Sequence, residues 1–234
     1  MRLMEWLFPA NARCMGCDGV RLQKEGPPFC PDCRKRLEKI LLPKPLCGWC
    51  GYPMQGNECL FCKGGYAKHI HWIGAPYLYR RPIQRALPRL KYSGWGQVLP
   101  FLGESMAKVW QENGHPDPDI VTFVPMMPGR EKRRGGNQAR KLCEAFAAHM
   151  GWEITPVLRR IRQVKSQVGL TRGQRKGNLR GCFQVDGDVR GKYVLLVDDV
   201  VTTGATVAEC ARMLIKAGAT QVWVMAAALS LKKK

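Results

Sequence analysis

The chain has 234 residues, of which 45% are hydrophobic and 24% charged, enough for one ordinary core and a small second unit but not for three compact domains. Its 38 Lys+Arg against 18 Asp+Glu give a formal charge of +20, which points to a polyanionic partner: nucleic acid, a phosphorylated metabolite or an anionic surface. No apolar run approaches the ~18 residues of a membrane span, and Glu5 interrupts the N-terminal stretch where a secretory leader needs unbroken apolar residues, so a cytoplasmic chain is expected.

The first predicted unit is marked by cysteine. Eight of the 11 cysteines form four C-x-x-C pairs: Cys14/Cys17, Cys30/Cys33, Cys47/Cys50 and Cys59/Cys62. Two such pairs supply the four thiolates of a closed tetrahedral Zn²⁺ site, so four pairs predict two structural zinc ions. The short gap between the third and fourth pairs favours sequential pairing, while joining the first pair to the third remains open. Disulfides are the competing reading, disfavoured in a chain without a leader. The region has few large apolar residues, so metal binding is expected to supply much of its folding energy.

From about residue 71 the cysteine pattern stops and strands begin to alternate with helices. In chain order the reading is a strand over residues 72–79, helices over 83–92 and 97–112, and a strand over 119–125. A helix follows over 137–150, then a short strand over 153–158 and a long polar stretch. The chain closes with a strand over 192–197, a helix over 204–217 and a strand over 221–229. Continuous apolar strands separated by helices predict an α/β fold with a mostly parallel sheet flanked by helices. The predicted domains are residues 1–70, carrying the four C-x-x-C pairs, and residues 71–234. Ligands of such sheets bind beyond the carboxyl ends of strands, which directs attention to residues 125–137, 159–181 and 198–206.

Residues 194–206, VLLVDDVVTTGAT, read as a buried strand, two carboxylates at its exit and a Thr/Gly turn opening a helix. Backbone N–H groups of Val201, Thr202, Thr203, Gly204, Ala205 and Thr206, with the threonine hydroxyls, form a cradle suited to a monophosphate. Asp198 and Asp199 are acceptors suited to the vicinal hydroxyls of a sugar, which together imply a ribose 5-phosphate. An acidic helix cap and a metal-binding acidic pair are the plainer alternatives.

This segment resembles the phosphoribosyl pyrophosphate (PRPP) signature of type I phosphoribosyltransferases. With the C-x-x-C pairs, LKYSG at residues 90–94, VPMMPGREKRRGGNQA at 124–139 and SQVGLTRGQRKGNLRGCF at 166–183, the whole chain is similar to the ComF/ComFC family of competence proteins of bacterial DNA uptake. Met127, Gly129, Gly136 and Gln174 depart from residues common in that family. The resemblance implies a type I phosphoribosyltransferase fold behind a double zinc ribbon, PRPP with Mg²⁺ as ligand, and transfer of a phosphoribosyl group to a nitrogen acceptor with release of pyrophosphate. It implies Asp198 and Asp199 as ribose ligands, Pro125, Met126, Arg130, Lys132 and Arg134 around the pyrophosphate, and Arg172 and Arg175 on a catalytic loop. Implied partners are single-stranded DNA and other uptake proteins such as a competence helicase. The alternative is a non-catalytic DNA-binding accessory that uses the PRPP site as a sensor.

The charge is concentrated in the same places. Residues 80–92 hold five Lys/Arg without an acid, residues 130–141 hold six with Glu131, and residues 159–180 hold eight without an acid. For any one run, a solvated face is the plain expectation; three runs adjoining one predicted crevice point to a bound polyanion.

Overall fold

A computed structural model of the chain describes residues 13–19, 28–90, 97–127, 129, 136–162 and 179–231. A central sheet is built from β1 (Trp72–Gly74), β2 (Tyr77–Leu78), β3 (Ile120–Phe123), β6 (Tyr193–Val201) and β7 (Gln221–Leu229). Its order is β1-β7-β6-β3, with β2 also on β7, and every pairing is parallel. Strands β6 and β7 form the middle because both faces of a central parallel strand must be covered: residues 194–197 and Val222, Val224 and Met225 are fully buried. The predicted strand over 72–79 is two strands, separated at Ala75 and Pro76, where proline offers no N–H to a ladder.

Helices α4 (Val98–Glu112) and α5 (Gln138–Met150) pack on each other and on the sheet, while α6 (Ala205–Lys216) lies against β6 and β7. The buried face of α6 is Val207, Cys210, Ala211 and Leu214, an i, i+3, i+4, i+7 stripe. Asn137 caps α5: its Oδ1 accepts the Ala139 N–H at 3.0 Å and its Nδ2 donates to the Val124 carbonyl at 3.0 Å. At 4% exposure, Asn137 ties the exit of β3 to the start of α5, a packing role.

The region following residue 151 corrects the sequence reading. Instead of one strand over 153–158, Ile154 makes a single parallel bridge to Val121, and β4 (Leu158–Arg160) pairs antiparallel with β5 (Phe183–Val185). Neither half of this ribbon has enough apolar alternation to announce itself; it exists because Leu158 and Phe183 bury one face while Arg159 pairs outward with Asp186 at 2.7 Å.

The cysteine-rich segment includes α1 (Pro31–Glu38) and a single-turn α2 (Leu60–Lys63); α3 (Ile83–Arg89) follows β2. The buried residues of this segment join one continuous hydrophobic core with the sheet. Leu78 donates to the Ile40 carbonyl at 2.7 Å and Ile73 to the Cys50 carbonyl at 2.8 Å. At Gly51, φ is +75° and a Cβ would lie 2.6 Å from the Trp72 ring nitrogen, so only glycine lets this turn sit against β1. Arg89 donates to the Met15 carbonyl at 2.9 Å and pairs with Asp18, with Arg85 nearby at 3.8 Å. Two members of the first basic run therefore hold the first cysteine cluster in place.

Among the described residues no helix is long and apolar enough to cross a membrane.

Candidate functional site

The carboxylates Asp198 and Asp199 lie within the last part of the β6 ladder rather than beyond it, since β6 runs on to Val201. Each orders the backbone after it: the Asp199 N–H donates to Asp198 Oδ1 at 2.9 Å and the Val200 N–H to Asp199 Oδ1 at 2.7 Å. The two point to different surroundings, as successive strand residues do. Asp198 faces the α6 side, where its charge acts on Cys210, and Asp199 acts on Tyr79. Burial, then the Asp199 charge, push the Asp198 carboxyl well above the usual carboxylate range.

Val201, Thr202, Thr203, Gly204, Ala205 and Thr206 form the turn from β6 into α6, and together with Asp198, Val200 and Val207 they line a depression of about 40 Å³. Gly204 has φ +83° at the head of the helix, and the Ala205 N–H reaches Thr203 Oγ1 at 3.3 Å. The remaining amides of the first helical turn and the threonine hydroxyls border this hollow as donors for a small oxyanion, while Asp198 stands at its edge as an acceptor for a hydroxyl.

Pro125 and Met126 follow directly on β3, past Val124, whose N–H donates to the Val197 carbonyl at 2.9 Å, and neither is among the residues that line the hollow. Arg130, Lys132, Arg134, Arg172 and Arg175 lie outside the described residues. Glu209 on α6 carries no motif signal, yet anchors the chain where the third basic run ends. Only 8% exposed, it accepts the Gly181 N–H at 2.7 Å and a two-pronged pair from Arg212, at 2.8 and 2.7 Å. Burial would raise its carboxyl, but Arg212 and the Gly181 N–H outweigh it and hold it below the usual range. Its only sequence signal is the i, i+3 spacing to Arg212.

The cysteines gather in two clusters by sequential pairing, Cys14, Cys17, Cys30 and Cys33 in one and Cys47, Cys50, Cys59 and Cys62 in the other, with the sulfurs of each within 4.8 Å of one another. Cys17 and Cys30 sulfurs are 3.8 Å apart, Cys47 and Cys62 3.9 Å, Cys50 and Cys59 3.6 Å, and Cys50 and Cys62 3.4 Å. Four thiolates held ~2.3 Å from one ion at tetrahedral angles lie ~3.8 Å apart, whereas a disulfide needs ~2.05 Å, so both donor sets fit zinc. Backbone amides favour the thiolate at one ligand of each cluster, whereas burial pushes Cys17, Cys33, Cys50 and Cys62 up. Against burial, the N–H groups of Cys30 and Gly16 bring Cys14 down to about 7, and those of Cys50 and Trp49 do the same for Cys47. The other three cysteines, Cys143, Cys182 and Cys210, are buried away from these clusters.

The second cluster adjoins the turn from β6 into α6. Phe61, between Cys59 and Cys62, lies against Gly204, and Tyr52, Gln55, Leu60 and Phe61 share a hollow with Thr202, Thr203 and Ser230. Nothing in the spacing of the motifs announced this contact.

Comparison with known proteins agrees with both halves. A double zinc ribbon domain model matches residues 3–68 and a phosphoribosyl transferase domain model matches residues 141–234. The chain is 33% identical to the DNA utilization protein YhgH of Salmonella typhi over 190 residues, covering 77% of this chain and 83% of that protein. It is 29% identical to competence protein F of Haemophilus influenzae, covering 93% and 98%. Among solved structures, glutamine PRPP amidotransferase from B. subtilis matches 57% of this chain and 27% of its own, at 24% identity and a TM-score of 0.40. The chain therefore belongs to the ComF/ComFC competence and DNA-utilization family, in which a double zinc ribbon precedes a phosphoribosyltransferase domain.

Proposed function

We propose that the chain binds PRPP with Mg²⁺ at the exit of β6 and transfers its phosphoribosyl group to a nitrogen acceptor, releasing pyrophosphate, in the service of DNA uptake. The observation that carries this reading is the junction of Asp198 with the turn into α6, a carboxylate and a row of helix-start amides sharing one hollow. In this reading the amides and hydroxyls of residues 201–206 hold the 5-phosphate, and Asp198 and Asp199 accept hydrogen bonds from the ribose hydroxyls. Pro125, Met126, Arg130, Lys132 and Arg134 border the pyrophosphate, and Arg172 and Arg175 close over it. The ribbon unit, residues 1–70, and the transferase unit, residues 71–234, carry the structural and the ligand-binding parts.

The bond from ribose C1 to the pyrophosphate oxygen breaks as the bond from the acceptor nitrogen to C1 forms. The electron pair of the broken bond leaves with pyrophosphate, and the acceptor nitrogen gives up its proton to the departing pyrophosphate or to water. Positive charge gathers on the ribose ring in between, where the carboxylates stabilise it, while the basic side chains stabilise the departing anion. Mg²⁺ brought with PRPP would neutralise charge on the diphosphate. The partners in this reading are single-stranded DNA and uptake proteins. The basic runs also favour a second reading, in which a DNA-binding accessory senses PRPP without turnover.

Isothermal titration is expected to show Mg²⁺-dependent PRPP binding in the native chain and none in the Asp198→Ala/Asp199→Ala double variant; unchanged binding in that variant would remove the assignment. Pyrophosphate release, assayed with candidate bases and single-stranded DNA, separates the two readings: release with an acceptor supports transfer, and tight PRPP binding without release supports the sensor.

A further inference from the structure

We infer that Phe61 is a positioning residue for the turn into α6, so that metal binding in the second ribbon sets the shape of the phosphate cradle; the inference deepens the PRPP reading and rests on it. Gly204 holds φ +83° at the head of α6, a backbone conformation to which glycine has little intrinsic reason to be confined. The restraint comes from outside the loop. A Cβ built on Gly204 would fall 2.3 Å from Phe61 Cε2, so the ring lies directly on the glycine backbone and fills the space a side chain would take. Phe61 is 3% exposed.

The ring is itself held by the ribbon. It stacks on Tyr52 with centroids 5.1 Å apart and planes at 19°, and tilts against Tyr66 at 5.9 Å. Tyr52 lies two residues beyond the ligand Cys50, and its hydroxyl donates to the Ser230 carbonyl at 3.4 Å, just past β7. Phe61 sits on the four-residue α2 between Cys59 and Cys62, with the Cys59 sulfur accepting the Cys62 N–H at 3.5 Å. One turn of helix cannot stand alone, because nucleation costs more than a single backbone bond returns; a metal tying Cys59 to Cys62 supplies the missing constraint. The first ribbon does not share this position: it packs on α3 through Arg89 and on α4 through Phe29 and Phe101, whose rings are 5.3 Å apart.

The chain of contact thus runs from four sulfurs, through one aromatic ring, to one glycine. Phe61 touches no ligand in this scheme; it fixes the backbone that would.

The test uses the full chain with Phe61→Ala, Phe61→Leu and, as a control on the same ribbon, Trp49→Ala, a residue 78% exposed in the native chain. Three quantities are read: zinc per chain, amide hydrogen exchange at residues 201–206 in the ligand-free protein, and PRPP affinity. Phe61→Ala is expected to keep both zinc ions, speed exchange in the turn and weaken PRPP on the order of tenfold through lost preorganisation. Phe61→Leu falls between it and the native chain, and Trp49→Ala matches the native chain. Native exchange and affinity in a zinc-replete Phe61→Ala protein would overturn the inference, as would equal effects from Trp49→Ala. If Phe61→Ala does not fold, Phe61→Leu decides by the same readings. Absence of PRPP binding in the native chain would instead sink the PRPP reading, and the exchange measurement would still decide the role of Phe61.

Discussion

Burial and the neighbouring Asp199 carboxylate hold Asp198 above the usual carboxylate range, so the folded chain keeps a proton there that the unfolded chain releases. The stability tied to that proton is fully present below the unfolded value of about 3.8 and is lost as pH rises towards the folded one. At neutral pH the ligand-free protein therefore bears the strain of a poorly solvated acid beside a second acid. Asp198→Asn is expected to raise the neutral-pH melting temperature, by on the order of 1 kcal/mol of stability, while weakening PRPP; thermal denaturation and titration on the same sample check both. Affinity of the native chain for PRPP should fall as pH drops through the raised Asp198 value, because the acceptor oxygens are then protonated, and the Asn variant should lose that dependence.

The β6–turn–α6 element shows why a strand exit makes a site. The strand delivers its carboxylates, the positive φ at Gly204 turns the chain, and the helix leaves its first amides unpaired. The far side of the same helix performs a different task, as Glu209, held by Arg212, accepts the Gly181 N–H just past the end of the third basic run. Glu209 is held below the usual range, so its stabilisation is present above the unfolded value of about 4.5 and is lost as pH falls through the folded one. Glu209→Ala leaves the Gly181 amide without its acceptor and is expected to cost about 1–3 kcal/mol at neutral pH, less in acid; urea unfolding at two pH values measures the difference. The basic runs divide at this scale too. Arg85, Arg89 and Arg159 spend their charge on Asp18, the Met15 carbonyl and Asp186, which are contacts that build the fold.

Across the whole molecule the two metal sites belong to the core they were expected to accompany. The Cys50 carbonyl, Ile40 and Leu41 meet β1 and β2 directly, so metal loss propagates into the sheet edge. Metal analysis should return about two zinc per chain, one for each set of four thiolates, and a strong chelator should lower the melting temperature of the entire protein in one transition. An independent early transition of the ribbons, with the remainder unchanged, would contradict the shared core.

The α/β class, β7 over residues 221–229, α4, α5 and α6, the turn from β6 into α6 and the four C-x-x-C pairs were legible in the residues, because each is written locally: apolar runs, 3.6-residue periodicity and cysteine spacing. The break between β1 and β2, the β4–β5 ribbon and the extension of β6 through Asp199 were not, since each depends on partners far away in sequence. Pairing between cysteine pairs lay between these cases: spacing favoured one solution and only packing selected it. The placement of Phe61 against Gly204 and of Glu209 against Gly181 could come from no local pattern. Local sequence chooses backbone conformation and side-chain chemistry, but which ring covers which glycine is decided when separate elements bury their surfaces against one another.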